Sequence, residues 1–182
     1  MDLTAKTVAL IGSLEGLCLE AYKDSANVWT AFLGVTNASG HEVYPRYKDN
    51  PQTMGKALEV SIWLLRTKYL PSVLQAFPQG LTENQLAAAI SFHWNTGKVL
   101  SAQWVKDFNS GNTQKSYEDV MQWTSGGILT GRRSIERELF FKGTWPSLRV
   151  PVRPVMKPTY HPDWAHTRSM DLMAQIEAAL KA

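Results

Sequence analysis

The chain has 182 residues and a single cysteine, Cys18. No intramolecular disulfide is possible, so folding does not require an oxidising compartment. A lone cysteine usually packs as a small hydrophobe. The four histidines, at 41, 93, 161 and 166, have no metal-ligand spacing, and no metal or organic cofactor is implied. Charge of neither sign dominates: 19 Lys and Arg face 16 Asp and Glu, for a net +3 and a pI near 9.0. That mild basic bias suits attraction to an anionic polymer. The basic residues form no stripe, which argues against nucleic acid as a partner. Long apolar runs are also missing. Residues 8–14 are too short and too mixed to cross a bilayer, so no transmembrane segment is expected. The opening MDLTAKTVALIGSLEG lacks the basic start and continuous apolar core of a signal peptide. Accumulation in the cytoplasm is therefore expected.

What is present is enough for one globular domain, or one domain with a short appendage, since 44% of residues are apolar. Asp2 or Thr4 can cap a first helix that reaches about Leu14, with Val8 and Ile11 inward, and Glu15-Gly16 ends it. Residues 17–50 read as a small β-rich lobe. They hold a turn at 24–27, a strand-like run at 28–33 and a short possible strand at 42–44. Asn50-Pro51 has the signature of a helix start, followed by a stripe of Leu58, Ile62, Leu65 and Tyr69, after which Pro71 either ends the helix or begins the next turn. Thr82 and Gln85 have capping-box spacing ahead of a helix closed by Asn95-Thr96-Gly97. Ser101, Ser116 and Thr130 precede further helices, the last ended by Gly143. Residues 146–162 contain five prolines interspersed with Arg149, Arg153 and Lys157, and read as an extended basic tether. Residues 163–182 then read as a C-terminal amphipathic helix with Leu172, Ile176 and Ala179-Leu180 on one face. A chain ending at Ser147 is expected to keep a folded core.

The chemistry concentrates in EGLCLEAYKDSANVWT, residues 15–30. Glu15 stands at a helix end, Asp24 in a turn, and Thr30 in a strand. Two carboxyl groups in different surroundings are what glycoside hydrolysis needs, one protonated as acid and one ionised to handle water. Spacing alone is a weak signal, and a solvated helix end or a turn Asp would be the ordinary reading. Seven tryptophans add aromatic faces of the kind that pack cores or stack on sugar rings.

Glu15-Gly16-Leu17, Leu19, Tyr22, Asp24 and Trp29-Thr30 together resemble the active-site segment of phage-type lysozymes, the endolysin muramidases. Two further blocks extend the resemblance: Ser91-Phe92-His93-Trp94-Asn95-Thr96-Gly97, and Arg132-Arg133 through Leu139-Phe140 to Gly143-Thr144-Trp145. The resemblance spans about residues 5–145, so residues 1–145 are assigned to a catalytic domain. It implies an α+β, mostly helical fold of two lobes, the small β lobe and a larger helical one, with a cleft between them. It implies hydrolysis of the β-1,4 bond between N-acetylmuramic acid and N-acetylglucosamine, with inversion. Glu15 would be the general acid, Asp24 and Thr30 would handle the water, Asn95 would face the sugar or that water, and Arg132 would ion-pair Glu15. His93 reads as packing, and Glu136 and Arg137 as surface charges. Peptidoglycan strands are the implied partner of a monomeric protein, with a holin opening the membrane for it.

One run departs from the pattern. Where the family has Gly-x-Gly-His-Thr, this chain has Phe32-Leu33-Gly34-Val35-Thr36. Phenylalanine lacks glycine's access to positive φ, so the turn should be built differently. The departure leaves room for a scaffold retained for wall binding or virion structure without catalysis, although intact Glu15, Asp24 and Thr30 argue against it. A lytic transglycosylase would need one acid and no water, which the presence of Asp24 and Thr30 also argues against.

Overall fold

The computed structural model describes all residues, 1–182. Its elements are α1 (Ala5–Glu15), β1 (Cys18–Lys23), β2 (Trp29–Phe32), β3 (Val35–Thr36), α2 (Met54–Leu64), α3 (Leu70–Ala76), α4 (Glu83–Thr96), α5 (Gln103–Asn109), α6 (Thr113–Asp119), α7 (Thr130–Lys142), β4 (Val150–Val152), β5 (Arg168–Met170) and α8 (Met173–Lys181). The chain forms two compact units. One is Thr4–Leu65 with Leu148–Ala182, and the other is Met1–Leu3 with Arg66–Ser147.

In the first unit α1 starts at Thr4, whose hydroxyl accepts from the Thr7 N–H at 3.3 Å. Asp2 instead takes the Leu3 N–H and the Arg66 guanidinium. β1, β2 and β3 form an antiparallel sheet in that order, with Tyr22 opposite Thr30 and Thr30 opposite Thr36. The possible strand at 42–44 does not form, because the Asn37 side-chain oxygen accepts the N–H groups of Val43 and Tyr44 at 2.7 and 3.2 Å. Helix α2 starts at Met54 with Thr53 as its cap, not at Asn50-Pro51. The Gln52 N–H is drawn to the Leu19 carbonyl at 2.8 Å, and the Asn50 side chain turns back to the Arg46 carbonyl, which keeps 50–52 extended along β1.

Phe32 corrects the expectation about the sheet turn. Its φ is +59°, so the backbone keeps the left-handed conformation without a glycine. The ring is fully buried and packs on Tyr47, centroids 4.7 Å apart. Val35, where the family histidine would stand, is also fully buried. Apolar packing here overrides backbone preference.

Residues 146–162 are not a free tether. β4 pairs antiparallel with β5 and packs on α1, and Leu17 bridges Val152 in parallel. The approach to α1 is close: a Cβ on Gly12 would lie 2.8 Å from Val150 Cγ2. Prolines are tolerated because they sit at edge positions and contribute carbonyls. Pro151 accepts the Leu17 N–H, and Pro154 accepts the Asp163 N–H. Asp163 caps only a 3-10 turn, Trp164–His166, and the last helix begins ten residues later at Met173. α8 packs on α1 and α2, burying Leu172, Ile176 and Ala179.

In the second unit Pro71 takes the second of its two expected places and begins the next helical turn. Residues Leu65–Tyr69 form a π turn, and Pro71 falls in the first turn of α3, where a missing N–H leaves no bond unmade. Helix α4 opens on the Thr82–Gln85 capping box and closes at Gly97. α5 and α6 begin at Gln103 and Thr113; Ser116 lies inside α6, buried, and donates to the Trp104 carbonyl at 2.6 Å. The core is aromatic. Phe92, Trp104 and Phe140 meet edge to face, with Phe92–Trp104 and Trp104–Phe140 centroids each 5.2 Å apart. Such pairs add about 0.5–1.5 kcal/mol each beyond their area.

Two outcomes follow from this packing. Phe32→Gly relieves about 1–2 kcal/mol of left-handed strain but empties a site worth about 3–5 kcal/mol, so urea unfolding should show a net loss of roughly 1–4 kcal/mol. A chain ending at Ser147 lacks Val150, Leu172 and Ile176, each worth about 2–5 kcal/mol in a core. Against a typical domain stability of about 5–15 kcal/mol, calorimetry of that fragment should show no cooperative transition for the first unit, contrary to the sequence-based expectation.

Candidate active site

Glu15, Asp24 and Thr30 all lie in the first unit. Glu15 is the last residue of α1 and half-buried. Gly16 stops the helix behind it with φ +77° and returns its N–H to the Gly12 carbonyl at 2.8 Å. Asp24 follows β1 directly. Its Oδ1 accepts the N–H groups of Ala26 and Val28, both at 2.9 Å, so the side chain is locked over its own turn. The Asp24 N–H donates to the Val28 carbonyl at 3.1 Å, and the Thr30 hydroxyl donates to the same carbonyl at 3.0 Å. Val28 thereby ties Asp24 and Thr30 into one piece of backbone. Asp24 keeps Oδ2, and buried Thr30 keeps its oxygen lone pairs, for a further partner.

Tyr22 is the residue whose role the sequence left unassigned. It stands opposite Thr30 in the sheet. Burial pushes its phenol well above the usual range, the carboxylates of Glu15 and Asp24 push it further, and the Arg153 charge offsets part of this. The hydroxyl therefore remains neutral at any ordinary pH and lies within electrostatic reach of both carboxylates. Cys18 is buried, which moves its thiol from 9.0 up to about 12. A thiol so protonated is no nucleophile.

Asn95 and Arg132 lie in the second unit. The Asn95 side-chain oxygen accepts from the Arg133 guanidinium. Gly97, not Asn95, is the left-handed cap of α4. Arg132 donates from Nε to Glu136 Oε1 at 3.0 Å and from an Nη to the Ser91 carbonyl at 3.0 Å. Glu136 is not a surface charge. It is almost fully buried, accepts from the Ser91 hydroxyl at 2.5 Å, and pairs with fully buried Arg133. Arg133 also donates to the Trp123 carbonyl at 2.9 Å and lies over the Phe92 ring. The signal was present as an Arg132/Arg133/Glu136 spacing of i+4 and i+3, which brings all three onto one helix face. Arg137 is half-buried over Tyr117, 4.3 Å from the ring centroid. His93 packs edge-on against Tyr69 at 5.2 Å, and burial holds its imidazole below the usual value.

No group of three His, Cys, Asp or Glu is placed to hold a metal ion. A cavity of about 330 Å³ in the first unit is lined by Leu19, Glu20, Pro51, Val152, Arg153 and Arg168 among others, and contains none of the three candidate catalytic residues.

The chain matches the family model described as phage lysozyme over residues 12–136. It is 28% identical over 150 residues to the endolysin of Bacillus phage B103, covering 79% of this chain and 55% of that protein. It is 31% identical over 116 residues to the SAR-endolysin of Escherichia phage N15, covering 62% and 63%. The chain thus spans little more than half the length of the Bacillus phage relatives it matches. Among solved structures it is similar to the endolysin from Escherichia coli O157:H7 phage FAHEc1, with TM-score 0.66 and 25% identity over 81% of this chain and 98% of that one. The muramidase domain of SpmX from Asticaccaulis excentricus gives TM-score 0.56 and 26% identity over 75% and 95%.

The locked turn separates structure from charge at Asp24. Asp24→Ala removes the acceptor of two backbone N–H groups and should cost about 1–3 kcal/mol. Asp24→Asn keeps an Oδ1 acceptor and should melt within about 1 kcal/mol of the parent on the same scale. Equal losses in both variants, by thermal unfolding, would mean that charge and not the acceptor geometry holds the turn.

Proposed function

Because the chain belongs to the phage lysozyme family, we propose that it is a peptidoglycan hydrolase, a phage endolysin that cleaves the β-1,4 bond between N-acetylmuramic acid and N-acetylglucosamine. The observation that carries this reading is the Val28 bridge. One residue orients Asp24 through its N–H and Thr30 through its carbonyl, and leaves one oxygen of each for a water. A water held by an acceptor carboxylate oxygen and an acceptor hydroxyl oxygen has its own lone pair directed elsewhere, which is what a nucleophile requires.

In this scheme Glu15 protonates the departing glycosidic oxygen. Asp24 takes the proton of the water as it attacks the anomeric carbon from the opposite face, giving inversion. Thr30 positions the water. Asn95 and Arg132 are assigned to sugar contact. No step requires a metal or organic cofactor. No helix is long and apolar enough to cross a membrane, and access to the wall is assigned to a membrane-opening partner of the holin type.

Product analysis on purified peptidoglycan tests the assignment. The parent protein should release fragments with new N-acetylmuramic acid reducing ends. Glu15→Gln and Asp24→Asn should each lose at least about 10²-fold in kcat, the scale of a positioned acid or base, with the fold intact. Anhydro ends that survive Asp24→Asn would replace hydrolysis by transglycosylation. Wall binding without cleavage would leave only an adhesive scaffold.

A further inference from the structure

Residues 150–161 lie beyond the matched family span, 12–136, yet they hold the two ends of the strand that joins the candidate acid to the candidate base. At the Glu15 end, Leu17 gives its N–H to the Pro151 carbonyl at 2.8 Å and takes the Arg153 N–H on its own carbonyl at 2.9 Å. At the Asp24 end, Lys23 gives its N–H to the Tyr160 carbonyl at 2.7 Å, and its carbonyl lies 3.1 Å from His161 Nδ1. Both backbone groups of the residue two after Glu15, and both of the residue just before Asp24, are therefore taken by the same segment. We propose that this C-terminal segment is a clamp that sets the separation and orientation of Glu15 and Asp24, with Tyr160 and His161 as positioning residues for the hydrolysis.

The side chains reinforce the clamp at both ends. The Arg153 guanidinium fills the space beside Gly16, where an added Cβ would lie 2.4 Å from one of its nitrogens. It is held there by the Thr167 hydroxyl at 3.0 Å and by the Trp164 ring at 3.7 Å. Tyr160 meets Trp29 edge to face at 5.2 Å, and its hydroxyl donates to Asp49 at 2.8 Å. Trp29 is the residue before Thr30 and pairs with Lys23. Lys157 adds bonds to Asp49 at 2.7 Å and to Glu20, in mid-strand, at 3.1 Å. Without these contacts the outer edge of β1 is paired only in mid-strand, Leu19 with Gln52 and Ala21 with Tyr47, and it carries a bulge between Cys18 and Tyr22. Such an edge can shift its ends independently. Inversion is sensitive to the distance between the carboxyl groups, because a water must fit between one of them and the sugar.

The inference rests on the hydrolase reading, so its test carries one readout that needs no catalysis. In the full chain, Tyr160→Ala should lower kcat on peptidoglycan about ten-fold, on the scale set by sub-ångström misplacement of reacting groups. KM should stay within two-fold of the parent, and Tyr160→Phe, which keeps the ring, should recover most of the rate. His161→Ala should lower kcat by a smaller factor, about three- to five-fold on the same scale. His161→Asn, whose amide can donate in place of Nδ1, should restore it. In both alanine variants the Ala26 and Val28 amides, which hold Asp24, should exchange with deuterium at least five times faster. If kcat is unchanged while melting falls, the segment is only structural and the proposal is wrong. A rise in KM at constant kcat would overturn it in favour of substrate binding. Should Tyr160→Ala fail to fold, the exposed His161 pair decides by itself. If the parent cleaves nothing, the hydrolase reading fails, and unchanged exchange at Ala26 and Val28 would separately overturn the clamp.

Discussion

A β-strand at the edge of a sheet offers a row of unpaired N–H and C=O groups, and each must find a partner. In this protein the middle of the outer edge of β1 is closed by Gln52 and Tyr47, and both of its ends by chain from the far end of the sequence, through Leu17 with Pro151 and Arg153, and Lys23 with Tyr160 and His161. Much of the first unit depends on that closure. It brings Val150 onto Gly12 of α1 and leads, through β5, to α8, which covers α1 and α2. The unit that carries Glu15, Asp24 and Thr30 is thus built from two stretches of sequence more than eighty residues apart. Its core is completed only when the last helix docks.

The second unit depends on a different interaction, a buried ion pair. Arg133 and Glu136 are almost completely removed from water. Burying two charges is costly unless every donor and acceptor is used. Here Ser91, Arg132, Asn95 and the Trp123 carbonyl complete the set. Removal of either partner of such a pair is worth about 3–5 kcal/mol, comparable to the loss of one buried aromatic ring from the packing around it. The network also means that Arg132 and Asn95 have structural partners already, so any contact they make with a sugar would be made by side chains whose positions are set in advance.

Local chemistry explains what the sequence made legible. Thr82 with Gln85, Gly97, Gly143 and Gly16 are boundary signals with a mechanism at the residue itself, and helices α4, α7 and α1 begin or end where they stand. The places of Glu15 at a helix end, Asp24 in a turn and Thr30 in a strand were legible because α1, its glycine stop and the Asp24 turn are all local, whereas their candidate catalytic roles came from the resemblance. Several misreadings share a cause, which is long-range hydrogen bonding. Prolines 151 and 154 look like breakers until their carbonyls are seen to serve Leu17 and Asp163. Asn50 looks like a cap until the Gln52 N–H is seen to go to Leu19. Glu136 looks solvated until Ser91, forty-five residues away, is seen to donate to it.

Phe32 shows where tertiary packing outweighs a backbone rule. A left-handed residue with a side chain costs about 1–2 kcal/mol, and the rule alone forecasts a rebuilt turn. The buried ring contributes about 3–5 kcal/mol at such a site, and it sits against Tyr47, whose N–H and carbonyl are bonded to Val43 and to Ala21 of β1. Burial of the ring exceeds the backbone cost, so the turn keeps its conformation and the strained residue becomes an anchor between the sheet and the 43–47 loop. The same logic connects this anchor, bonded to β1 at Ala21, to the clamp that holds Leu17 and Lys23 on either side of it. A strand fixed in its middle by the packed anchor and at its ends by borrowed backbone has little freedom left, and Glu15 and Asp24, at its two ends, inherit that rigidity.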